Sequence, residues 1–65
     1  MSFLDALREL EQRHQIIVNI DNDYALAQAE YERQIESALD SYAAALFQIA
    51  DMFGFTTDEI EAMVK

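Results

Sequence analysis

The chain has no cysteine and no proline, and a single glycine. The missing cysteine excludes disulfides and thiolate metal sites. The missing proline and scarce glycine suit long, uninterrupted helices. Cations are few: four Lys and Arg stand against thirteen Asp and Glu, for a net charge of −9. Such a balance disfavours direct binding to DNA, RNA or anionic lipid. No apolar run approaches the ~18 residues of a membrane span. Met1-Ser2-Phe3-Leu4-Asp5 carries neither a basic region nor a long apolar one, so no signal peptide is read there and a cytoplasmic protein is expected. There is no glycine-rich phosphate loop. Ser2, Ser37 and Ser41 have no general base nearby in sequence, His14 being distant. Neither an enzyme nor a cofactor is expected.

What remains is 65 residues, 52% of them apolar. That length bounds the chain at one domain, and the apolar share is too high for a disordered tail. A chain this short is marginally stable alone and usually gains stability from disulfides, metals or oligomerisation. With disulfides gone, oligomerisation is the natural route.

The pattern is all-α. Ser2 is a good N-cap, and Asp5 suits the first turn of a first helix over about residues 3–18. Phe3, Leu7, Leu10, His14 and Ile17 form its apolar stripe, widened by Leu4. Ile16-Ile17-Val18-Asn19-Ile20 reads as its frayed end or an extended connector, with a short intermolecular strand as a minor alternative. Asp21-Asn22-Asp23 reads as a turn whose side chains cap a long second helix, about residues 24–53. That helix carries Tyr24, Gln28, Tyr31, Ile35, Ala38, Tyr42, Ala45, Ile49 and Met52 in strict 3-4 alternation. A second row, Leu39, Leu46 and Phe53, together with Ala43, Phe47 and Ala50, makes the C-terminal half apolar over more than one face. Gly54 supplies a left-handed C-cap. Thr56 and Glu59 form a capping box, and Phe55 and Ile60 a hydrophobic staple, for a short third helix over about residues 57–64 with Ile60, Met63 and Val64 on its apolar side.

Helices of about 16 and 30 residues span roughly 24 and 45 Å. In an antiparallel hairpin the first would then cover only the first half of the second. This leaves the more apolar half exposed, a patch that soluble monomers seldom carry. The expectation is a homodimer, two-fold symmetric, meeting through Leu39, Tyr42, Leu46, Ile49 and Phe53.

Two metal patterns deserve weighing. Glu11-x-x-His14 has the spacing of a di-iron bundle ligand pair, but Glu30, Glu32 and Glu36 are not aligned to bridge two ions. His14 lies on the apolar stripe and reads more simply as a hydrogen-bonded, partly buried side chain. Asp21, Asp23 and Glu32 match three positions of a calcium loop, yet Ala25 and Leu26 stand where an oxygen ligand and a glycine are needed. No metal is expected.

Function is therefore expected in binding to another protein. Tyr24, Ile16, Val18 and Ile20 are the contact candidates, being unneeded in the hairpin core. Glu32, Glu36 and Asp40 fall at i, i+4 and i+8 and form an acidic line, either a solvated face or a ridge for a basic partner. The leading reading is a small acidic dimeric adaptor or inhibitor of a regulatory protein. The alternative is a nucleic-acid mimic occupying a basic surface. The segment Leu46-Phe47-Gln48-Ile49-Ala50-Asp51-Met52-Phe53-Gly54-Phe55-Thr56-Thr57-Asp58-Glu59-Ile60 also resembles the oligomerisation region of H-NS-like nucleoid proteins, where a long helix ends at glycine and a capped short helix follows. The resemblance implies an H-NS-type oligomerisation module without a DNA-binding domain, one that joins or blocks such an assembly.

Overall fold

Ser2 hydroxyl oxygen accepts from the Asp5 amide at 3.2 Å, and the first helix starts there. The computed structural model describes residues 2–64 and consists of three helices: α1 (Phe3–Asp21), α2 (Gln28–Phe53) and α3 (Thr57–Val64). No strand occurs among the described residues.

Residues 16–20 are helical, and neither the connector nor the strand expected as alternatives forms. The propensity penalty for β-branched residues in a helix is a few tenths of a kcal/mol each. Packing of Ile17 against the core and a Gln15–Asn19 side-chain hydrogen bond at 3.0 Å outweigh it. Asp21 closes α1, so the loop holds Asn22 and Asp23 of the expected turn and runs on to residue 27. Asp23 does not cap α2. Its carboxylate accepts from the Ala25 amide at 3.1 Å, a local turn that competes with helix formation. Residues 24–27 stay in the loop and α2 begins at Gln28, with Ala27 at the N-cap position and no side-chain cap.

α1 and α2 are antiparallel, but in a register other than the expected one. Phe3 meets Phe53, ring centres 5.0 Å apart, and His14 meets Tyr42 at 5.8 Å. Arg13 donates to Ser41 Oγ at 2.5 Å and to its carbonyl at 3.2 Å. α1 therefore lies along residues 31–53 of α2, its first half against the apolar half of that helix. Ala6, Leu10, Tyr42, Leu46, Ile49, Ala50 and Ile60 form the buried core, with Phe3, Leu7, Ile17, Ala45, Phe53, Phe55 and Val64 packed around it. The premise of the expected dimer surface is thus corrected. Tyr42, Leu46 and Ile49 are buried within one chain, Phe53 is half-buried, and only Leu39 of the five is exposed.

The α2–α3 junction is made as its residues predict. Gly54 has φ +75°, and the Gly54 and Phe55 amides donate to the Ala50 carbonyl at 3.0 and 3.1 Å. Thr56 Oγ1 accepts from the Glu59 amide, and Glu59 accepts from the Thr56 amide, both at 3.2 Å. Phe55 stacks on Phe3 at 4.9 Å, tying the junction to the start of α1. This holds Ile60, fully buried, over the hairpin.

Candidate protein-binding surface

Within the hairpin seam the polar groups are structural. Arg13 bridges Glu9 on its own helix, at 2.9 Å, and Ser41 on α2. His14 packs on the Tyr42 ring. Glu11 and His14 have no third partner. Among the described residues no group of three or more His, Asp or Glu side chains converges enough to hold a metal ion. The calcium-loop residues separate likewise: Asp21 accepts a short hydrogen bond from the Tyr31 hydroxyl, Asp23 holds Ala25, and Glu32 accepts from Gln28 at 3.4 Å.

Both tyrosines of the α1–α2 seam hold their protons more tightly than usual. The Tyr31 hydroxyl is raised by its hydrogen bond to Asp21, then by desolvation and the Asp21 charge. Tyr42 is raised by burial, then by the nearby Glu61 charge. A raised folded-state pKa favours the neutral form, so its stabilisation is complete below the ordinary value of 10.0 and is lost as pH climbs above it. The melting temperature is expected to fall above pH 10, and Tyr42→Phe to blunt that fall. An alkaline melting curve unchanged by Tyr42→Phe would refute this account.

The expected contact residues do not form one patch. Ile16 and Ile20 lie on one flank of α1, while Val18 lies on another. Ile16 is exposed and Val18 and Ile20 are half-buried. Tyr24 stands in the loop at 93% exposure. Glu32, Glu36 and Asp40 are all exposed along α2.

The helical repeat places a different set together. Leu39, Ala43 and Phe47 recur at steps of four on the outward side of α2, bordered on the same arc by Glu32, Glu36, Asp40 and Asp51. Leu39 is 48% exposed and Phe47 63%. One cation borders this arc: Arg33, the one basic residue of α2, falls on the same helical row as Asp51 and is paired with Glu30 at 2.8 Å. The sequence marks Leu39 and Phe47 as apolar, but a chain read without its pairing register offers no reason to separate them from their buried neighbours.

No helix among the described residues is long and apolar enough to cross a membrane. Comparison with protein families, with curated proteins and with solved structures returns no match for this chain.

Proposed function

We propose that the chain is a protein-binding module, an adaptor or inhibitor that engages a basic regulatory protein through the outward face of α2. The observation that carries this reading is the pairing of exposed Leu39 and Phe47 with four carboxylates on one helical arc, against a single arginine already paired with Glu30. An apolar centre supplies affinity by desolvation, and a rim of one sign supplies steering and selectivity. Phe47 is the anchor, Leu39 the second contact, and Tyr24 a separate exposed aromatic suited to the same partner.

The test starts from capture of the partner on immobilised protein, followed by titration at low and high salt. Phe47→Ala is expected to weaken binding about tenfold or more, with the fold unchanged because the side chain is exposed. Neutralising Glu32, Glu36 and Asp40 together is expected to slow association and flatten the salt dependence. Should the triple neutralisation abolish binding while Phe47→Ala does nothing, and nucleic acid compete for the partner, mimicry of a phosphate backbone is the better reading.

A further inference from the structure

A furrow runs along one flank of the α1–α2 seam, and no residue of α3 lines it. It holds two cavities of about 230 and 400 Å³, with Arg13 reaching across to Ser41 between them. Its α1 wall is Ala6, Glu9, Arg13, Ile16 and Ile20, and its α2 wall is the row Gln34, Ala38, Ser41, Ala45, Gln48 and Met52, bordered by Arg33, Ser37, Ala44 and Ile49. Both walls alternate steps of 3 and 4, the spacing by which a helix pair receives the side chains of further helices. Alanine and serine let another helix approach closely. Ile16 and Met52, 52% and 58% exposed, offer apolar contact at its two ends.

Charge selects the occupant. The flank carries Glu9 with Arg13 and Glu30 with Arg33, each pair closed at 2.9 and 2.8 Å. The lining itself holds Glu9, Arg13 and Arg33, with Glu30 closing on Arg33 from beside it, so the furrow carries no excess of carboxylate and the net charge of −9 resides elsewhere on the molecule. Two copies meeting on the acidic arc of α2 set carboxylate against carboxylate; on this flank they do not. A basic partner gains nothing here that the acidic arc of α2 does not offer better.

We infer that this furrow is the seat of a second copy of the chain, two hairpins packing flank to flank about a two-fold axis as a four-helix core. The two-fold brings Glu9 and Arg13 of one copy toward the same pair of the other, so the ion pairs meet crosswise. The inference goes beyond the proposed function and places the contact between copies away from the acidic arc, leaving both copies' partner faces open.

Sedimentation equilibrium of the full chain over micromolar to millimolar concentration tests it. The expected result is a species of twice the 7.5 kDa chain mass. Ala44 and Gln48 line the furrow and are exposed, so Ala44→Glu with Gln48→Glu leaves the core intact. This double variant is expected to weaken self-association at least about tenfold, with its helical circular dichroism retained. Phe47→Glu, on the outward face, is expected to leave the dimer unchanged. A wild-type chain monomeric throughout the range overturns the inference, as does a dimer that Phe47→Glu dissolves and the double variant does not. A monomer that still binds its basic partner overturns this inference alone and leaves the proposed function standing.

Discussion

Leu46→Asp abolishes cooperative folding. Leu46 is 5% exposed and packs in the core of a single chain. A carboxylate there has no cation within the core to answer it, and burying an unpaired charge costs several kcal/mol. A core in a chain of this size supplies only about 3–5 kcal/mol in all. The expected result is loss of the helical signal and of a sigmoidal urea or thermal transition. Leu39→Asp, two turns earlier on the same row but half exposed, is expected to keep both. A Leu46→Asp chain that stays folded and merely changes its oligomeric state would return Leu46 to an interface between copies and refute the register described here.

Gly54→Val is expected to produce the second large loss. At φ +75° an L side chain is strained, by about 1–2 kcal/mol for the left-handed conformation and more when β-branched. A Cβ at this position meets nothing within 4 Å, so the loss comes from the backbone and not from a clash. Gly54→Asn, which tolerates the left-handed region, should recover most of it. Thr56→Ala should cost about 1 kcal/mol more through the lost cap. Urea titrations of the series measure this order. Equal stability for the valine and asparagine variants would mean that the turn is not held in the left-handed conformation.

The junction was legible because its signals are local. Glycine, threonine and glutamate each act within one turn of their own position, and the hydrogen bonds of Gly54, Thr56 and Glu59 follow. The apolar stripe of α1 was legible for a similar reason, with Leu10 at its centre fully buried. The register of the hairpin was not, because it depends on the path of the loop. Four residues expected to begin α2, 24–27, stay in the loop instead, and the two helices pair in a register other than the expected one. That register puts Tyr42, Leu46 and Ile49 inside and leaves Leu39 and Phe47 outside. Ala6 and Ala50 escaped notice as core residues because alanine fits either face of a helix and breaks no pattern. The candidate surface inherits the same gap: its charges were readable, and its apolar centre was not.

The uncapped start of α2 has a consequence for how the molecule moves. Ala27 gives the helix no side-chain cap, and the first fully buried residue of α2 is Tyr42. Before it, the ties to α1 among the described residues are the Tyr31–Asp21 hydrogen bond and, next to Tyr42 itself, the Arg13–Ser41 bonds, beside same-helix pairs such as Arg33 with Glu30. The two ends of α2 therefore open with different free energies. Amides ahead of Tyr42 exchange with solvent through local fraying, while those from Tyr42 to Ala50 exchange only when the whole chain unfolds. Glu32 and Glu36 ride on the fraying half and Phe47 on the rigid one. A partner that grips all three arrests the fraying end, and part of its binding free energy is spent on ordering it.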